Sequence, residues 1–254
     1  MRILAASAPL VTGLVDLLLP GVCAGCGSRN ISADGLCEEC GVRLLSLVSL
    51  GYCPRCGSTL GPNIPVREDG CFACPNPLPR FASVTRLGPY ANPLRRVVQD
   101  LKYRHRDTLR RRLARLLAEA ITARMDPPAD LVLAVPSHWL RRLTRGYDHA
   151  RLLARTLAHE LRLPLGDEIT RIRHTPPQVH LPRSRRIENV RGAFVARRSA
   201  SLRGARVLLV DDVTTTGATA NEATRALLAA GASSVNVGVI AKAEPPRAYT
   251  DHLG

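Results

Sequence analysis

Lysine is almost missing from this chain. Only Lys102 and Lys242 occur, although 36 basic residues stand against 21 acidic ones, so the formal charge of +15 is carried by arginine. Usage this one-sided follows from coding bias as readily as from guanidinium chemistry. The charge therefore favours an encounter with phosphate-rich polyanions (nucleic acid, phosphorylated metabolites, anionic lipid) without choosing among them. An unbroken apolar run of membrane-spanning length is also missing. Residues 3–22 come nearest, and Pro9, Asp16 and Pro20 interrupt them. The same stretch lacks the basic start of a secretory signal, with Arg2 its one cation, and Pro20-Gly21-Val22 before Cys23 does not match a lipoprotein cleavage site. The reading is an amphipathic helix over residues 10–19, packed on a neighbouring domain, in a cytoplasmic protein with no transmembrane segment. Repeats and low-complexity tracts are absent. So are both common nucleotide motifs, Gly-x-x-x-x-Gly-Lys-Ser/Thr and a strand-linked Gly-x-Gly-x-x-Gly.

No cysteine is left unpaired in the pattern, and none lies beyond Cys74. The eight form four Cys-x-x-Cys pairs: Cys23/Cys26, Cys37/Cys40, Cys53/Cys56 and Cys71/Cys74. Two sulfurs from one tight turn reach adjacent corners of a tetrahedron while a second turn supplies the others, which suits structural zinc. Sequential pairing places one ion on Cys23, Cys26, Cys37 and Cys40 and another on Cys53, Cys56, Cys71 and Cys74; the spacing does not exclude interleaved pairing. Residues 21–80 are rich in Gly, Pro and Cys and poor in periodic runs, as in a module whose metal does the folding.

Past residue 80 the character changes. Residues 81–87 read as a strand, Leu94, Val97, Val98 and Leu101 recur at helical spacing, and a second helix runs over 107–125 until Asp126-Pro127-Pro128 stops it. Three short apolar runs at 131–135, 206–210 and 235–240 read as buried parallel strands, separated by helical patterns at 148–163 and 217–230. That alternation predicts an α/β fold, a parallel sheet flanked by helices. The expected organisation is a helix over 1–20, a cysteine-rich double zinc ribbon over 21–80 and an α/β domain over 81–254. Residues 172–192 hold three prolines, several arginines and no apolar period, and read as a long functional loop.

Chemistry concentrates in Asp211-Asp212-Val213-Thr214-Thr215-Thr216-Gly217-Ala218-Thr219, which follows four aliphatic residues. A strand delivers two adjacent carboxylates at its carboxyl edge. A hydroxyl-rich turn follows, and Gly217 lets the backbone approach closely, so several N–H groups and the threonine hydroxyls surround one phosphate at a helix N-terminus. Asp211 and Asp212 then lie one sugar-length away, where a ribose diol belongs. Two charges after four aliphatics are costly unless they act at the sheet edge, which argues against a mere strand end and helix cap. Other polar residues read blandly. His105, His159, His174 and His180 show no metal spacing, Arg110-Arg111-Arg112 is a solvated helix face, and Trp139 is as suited to packing as to stacking on a base.

The segment resembles the phosphoribosyl pyrophosphate signature of type I phosphoribosyltransferases, and residues 14–243 resemble the ComF/GntX-type competence proteins. The resemblance is carried by the cysteine knuckles after Leu17-Leu18-Leu19-Pro20, by Val135-Pro136 leading to Arg145-Gly146-Tyr147, by Thr175-Pro176-Pro177-Gln178 with Arg186, Asn189 and Gly192-Ala193-Phe194, and by Asp211-Asp212. It implies a type I phosphoribosyltransferase-like fold in which Asp211 and Asp212 hold the ribose hydroxyls and orient Mg²⁺. Val213, Thr214, Thr215, Thr216, Gly217, Ala218 and Thr219 would cradle the 5'-phosphate. Pro136, Ser137 and His138 would form the pyrophosphate loop, with Arg145, Arg141 or Arg142 as counter-charge, and residues 172–192 a hood. The family often shows Arg-Gly-Phe-Asn-Gln where this chain has Arg145-Gly146-Tyr147-Asp148-His149. No side chain stands out as a general base, which fits a mechanism of positioning and electrostatics. Three functions stay open: a phosphoribosyltransferase with an unidentified acceptor, a zinc-ribbon accessory protein that binds single-stranded DNA beside DNA-uptake or recombination proteins, and a phosphoribosyl pyrophosphate sensor without turnover.

Overall fold

The computed structural model describes residues 22–61, 64–65, 70–103, 107–137, 148–173 and 183–244. The helix expected over residues 10–19 lies outside them. Among the described residues twelve elements follow in chain order: α1 (Glu38–Val48), β1 (Ser83–Pro89), α2 (Leu94–Tyr103), α3 (Asp107–Thr122), β2 (Leu131–Ala134), α4 (His149–Leu161), β3 (Ile169–Arg171), α5 (Arg183–Val190), β4 (Phe194–Ala196), β5 (Arg206–Thr214), α6 (Ala218–Ala230) and β6 (Ser234–Lys242). Four strands make one sheet in the order β1-β6-β5-β2, all parallel. Strands β3 and β4 form a separate antiparallel pair.

Both faces of the parallel sheet are covered, and the pleat decides which residue goes to which side. Along β5, Val207 and Leu209 pack with Ala223 and Leu227 of α6, while Leu208 and Val210 pack with Leu113 and Leu117 of α3 and Leu153 and Leu157 of α4. Helix α6 presents alanines at 220, 223, 226 and 230 to the sheet, so it approaches closely. Asp130 anchors the first register: its carboxylate accepts from the backbone N–H of Arg206 at 2.9 Å and from the guanidinium at 2.6 Å. The hydrogen bond from the Arg206 side chain pulls that carboxyl down to about 2.

The cysteine-rich segment is not set apart from this body. Cys23, Ala24, Leu36, Cys40, Leu44 and Leu47 belong to the same buried cluster as Leu87, Leu94, Leu113 and Leu208. Helix α1, which no periodicity announced, is capped by Cys37, whose sulfur accepts from the Cys40 N–H at 3.5 Å. The second pair of knuckles lies along edge strand β1, where the Pro54 carbonyl accepts from Val84 N–H at 2.6 Å. Arg55 donates to the carbonyls of Ala82 and Pro79. An edge that would otherwise offer open backbone groups is thereby closed.

Three expectations need correction. Residues 172–192 are not one loop: α5 occupies Arg183–Val190. Among its described side chains Val190 alone is buried, so the helix carries no apolar stripe to read. Residues 174–182 lie outside the described set. Strand β5 runs to Thr214 rather than ending at 210, because pairing with β6 continues through Asp211, Val213 and Thr214. The 148–163 and 107–125 helices are shorter, ending at Leu161 and Thr122.

Gly88 marks a close contact between α1 and the sheet: a Cβ there would meet Leu94 Cδ2 at 3.1 Å and the Leu47 carbonyl oxygen at 3.2 Å. Gly88→Val is expected to destabilise the whole molecule by about 1–3 kcal/mol, the usual range for overpacking. Urea denaturation followed by circular dichroism measures it, and an unchanged midpoint would mean that α1 is not docked there.

Candidate functional site

The carboxyl ends of β2 and β5 lie side by side. Ala134 pairs with Val210, and Val135 N–H donates to the Val210 carbonyl at 2.8 Å. Pro136 and Ser137 therefore leave the sheet next to Asp211 and Asp212, which are half-buried at the end of β5. Local bonds fix them: Asp212 N–H donates to Asp211 Oδ1 at 2.9 Å, and Val213 N–H donates to Asp212 Oδ1 at 2.6 Å.

After Thr214 the chain turns through Thr215, Thr216 and Gly217 into α6. Gly217 is the helix N-cap in the left-handed region, with φ 78° and ψ 1°, and brings no side chain of its own to the helix start. A β-carbon would be strained there, and it would lie 3.4 Å from Phe81 Cζ. The first-turn N–H groups of α6 thus begin beyond a bare glycine, at the sheet edge where ligands of open α/β sheets bind. Ala218 N–H meets Thr216 Oγ1 at 3.3 Å, and Ala218 and Thr219 open the helix. One helical turn on, Glu222 accepts from Gly192 N–H at 2.7 Å and from Arg225 at 2.8 Å. The segment beyond α5 is tied there to the helix that begins at the turn.

Of the expected pyrophosphate loop, Pro136 and Ser137 are described, while His138, Arg141, Arg142 and Arg145 lie outside the described residues, as does Trp139. The two ends of that segment nevertheless meet. Asp148 caps α4 by accepting from Arg151 N–H at 3.3 Å, and its other oxygen accepts from Ser137 Oγ at 2.6 Å and Ser137 N–H at 3.4 Å. The departure at residue 148 is thus a helix cap and a loop clasp.

The cysteines resolve into sequential tetrads. In each of the sets Cys23, Cys26, Cys37, Cys40 and Cys53, Cys56, Cys71, Cys74, all sulfurs lie within 4.8 Å of one another. Neighbouring sulfurs approach to 3.6 Å for Cys26/Cys37 and 3.7 Å for Cys53/Cys74 and Cys56/Cys71. Four thiolates around a tetrahedral zinc at about 2.3 Å would stand roughly 3.8 Å apart, and a disulfide would need about 2.0 Å. Backbone N–H groups point at the sulfurs: Cys37 N–H and Gly25 N–H reach Cys23 Sγ at 3.2 and 3.3 Å, and Cys71 N–H reaches Cys74 Sγ at 3.3 Å. Burial alone raises the Cys23 thiol, yet the N–H groups of Cys37, Cys26 and Gly25 bring it down to about 6. Burial and the neighbouring sulfurs push Cys40 up. Four crowded thiols of which only some ionise readily call for a central cation, so the residues fit zinc.

Comparison with known proteins finds matches for both parts of the chain. A phosphoribosyl transferase domain matches residues 144–252 and a double zinc ribbon domain matches residues 14–75. A protein named DNA utilization protein YhgH from Salmonella typhi is 36% identical over 228 residues, covering 87% of this chain and 96% of that protein. Competence protein F from Haemophilus influenzae is 32% identical over 231 residues, with the same coverages of 87% and 96%. The chain belongs to the competence protein F family. Among solved structures, the glutamine phosphoribosylpyrophosphate amidotransferase of B. subtilis overlaps 56% of this chain and 30% of its own at 24% identity and TM-score 0.38. No described helix is long and apolar enough to cross a membrane.

In this competence protein F relative, residues that sequence reasoning passed over lie around the turn and beneath the second ribbon. Lys242 reaches the turn, Glu222 ties the segment beyond α5 to α6, and Arg86 lies buried under the second ribbon with its guanidinium 4.9 Å from the Tyr52 ring centroid. The one available signal was Lys242 itself, one of two lysines in a chain where arginine is otherwise the rule. Because Cys40 shares the main core, Cys40→Ser should lower the melting temperature of the entire α/β body and halve the zinc content. Calorimetric melting with metal analysis checks both, and an unaltered melt of a one-zinc protein would contradict the shared core.

Proposed function

We propose that the protein binds phosphoribosyl pyrophosphate with Mg²⁺ at the carboxyl edge of β5 and transfers the phosphoribosyl group to an acceptor. The observation that carries this reading is the succession of two carboxylates, a hydroxyl-rich turn and a glycine-started helix within nine residues of one strand end. In this reading the α6 N–H groups and the hydroxyls of Thr214, Thr215, Thr216 and Thr219 hold the 5'-phosphate, with Val213 and Ala218 supplying backbone. Asp211 and Asp212 hold the ribose 2'- and 3'-hydroxyls and face the metal. The loop that starts at Pro136, Ser137 and His138, with Arg145, holds the pyrophosphate.

The reaction breaks the C1–oxygen bond to pyrophosphate, which leaves with the bonding pair, and forms a bond from C1 to the acceptor, which gives up a proton. Positive charge grows on the sugar and negative charge on the leaving group. The chain's part is to orient the two ends of the ligand and to keep water out. Bound Mg²⁺ would neutralise the pyrophosphate charge. Eight thiols in two metal tetrads suit a reducing compartment, and we infer a cytoplasmic protein.

A second reading has its own observation. Phe72 stands 88% exposed between Cys71 and Cys74, and relatives carry names of DNA utilization and competence. An exposed ring in an arginine-rich chain of charge +15 is a stacking platform for single-stranded DNA.

Calorimetric titration of the zinc-loaded protein with phosphoribosyl pyrophosphate and Mg²⁺ separates the readings. Micromolar binding in the wild type, lost in the Asp211→Asn/Asp212→Asn double variant, is expected. Absence of binding in both, with single-strand binding that weakens steeply with salt, would favour the second reading and sink the first.

A further inference from the structure

Lys242 is the last residue of β6, paired in register with Thr214 of β5 and with Pro89 of β1. Only 5% of it is exposed. Its Nζ donates to the carbonyl of Thr215, inside the turn between β5 and α6. Its aliphatic stem runs beneath the second ribbon, where Gly57 follows Cys56 directly. A Cβ on Gly57 would lie 3.8 Å from Lys242 Cδ and 3.2 Å from Val84 Cγ1, and the residue has a φ of +76°. Two further bonds join the same ribbon to its surroundings: Thr59 N–H donates to the Glu244 carboxylate, and Thr59 Oγ1 accepts from Arg86 Nη2 at 2.8 Å. Ribbon, strand end and turn are thus linked through one side chain.

A buried ammonium is costly unless a hydrogen bond receives it, and here the Thr215 carbonyl does. The bond has a geometric consequence. In a trans peptide the C=O and the following N–H point in opposite directions. With the Thr215 carbonyl held toward β6, the Thr216 N–H is turned away from Lys242. Without that tether the peptide between Thr215 and Thr216 is free to rotate, since neither the β5 ladder nor the α6 helix claims it.

We propose that Lys242 is the positioning residue of the turn, that it orients the Thr216 amide for the 5'-phosphate, and that the zinc-bound second ribbon holds it there by enclosing its stem. The proposal rests on reading the turn as the phosphate site. It gives the second ribbon a task in that site.

The test compares wild type, Lys242→Met, Cys71→Ser and the double variant, each as the full chain with zinc supplied. Two quantities are measured. The first is the NMR order parameter of the amides at residues 215–218 without ligand, and the second is the affinity for phosphoribosyl pyrophosphate with Mg²⁺. Lys242→Met should drop those order parameters from about 0.85 to below about 0.6, leave the amides of β5 and β6 rigid, and weaken binding about tenfold. Cys71→Ser should reproduce that pattern, and the double variant should be no worse than either alone, as for residues acting through one linkage. Unchanged turn amides in Lys242→Met, or additive losses in the double variant, would overturn the proposal. If Lys242→Met does not fold, Cys71→Ser alone decides, because it predicts the same turn-specific loosening with the lysine in place. Failure of the wild type to bind the ligand would count against the phosphate reading, while the ligand-free order parameters still judge the lysine.

Discussion

The register between β5 and β6 is the constraint on which the rest of this structure depends. It places Asp211 opposite Val239 and Thr214 opposite Lys242, so the carboxylates, the turn and the buried lysine arrive at the same edge. A slip by one residue would exchange the two faces of β5. Val207 and Leu209 would then face α3 and α4 instead of α6, and the core would oppose the shift. The hydrophobic alternation of a buried strand thereby fixes polar chemistry four residues further on.

The zinc ribbons act within this frame. Residues that cannot form a core alone place Leu44 and Leu47 into the core of the sheet, each such burial contributing about 1.5–3 kcal/mol. The second ribbon covers β1 and encloses polar groups that the sheet edge would otherwise leave open to water. Tyr52 is flanked by the guanidinium groups of Arg86 and Arg124, at 4.9 and 5.0 Å from its ring centroid, so that ribbon grips both strand β1 and the segment after α3. Metal binding and folding of the α/β body are in this way parts of one equilibrium.

Much of this was legible in the sequence because the relevant signals are local. Cys-x-x-Cys spacing gave the ligands, apolar runs gave the strands of the parallel sheet, and the Asp-Asp-Val-Thr segment pointed to the strand end and the helix start. What escaped depends on distant contacts. Helix α1 has a short apolar face made meaningful by Leu87 and Leu94. Helix α5 is polar along most of its length. The extension of β5 through two aspartates runs against strand propensity and persists because β6 pairs with it. Asp148 looked like a lost family amide, and its partner Ser137 lies across a segment that only the fold closes. Spacing left the zinc pairing open, and the two separate sulfur clusters settle it as sequential.

The central claim is that the edge built by this register is a phosphoribosyl site. The most direct measurement is a crystal structure of the zinc-loaded protein grown with phosphoribosyl pyrophosphate and Mg²⁺. The account predicts the 5'-phosphate on the amides of Thr216, Gly217 and Ala218 and the ribose hydroxyls against Asp211 and Asp212. Ligand bound elsewhere on the molecule, with that turn and those carboxylates untouched, would contradict it.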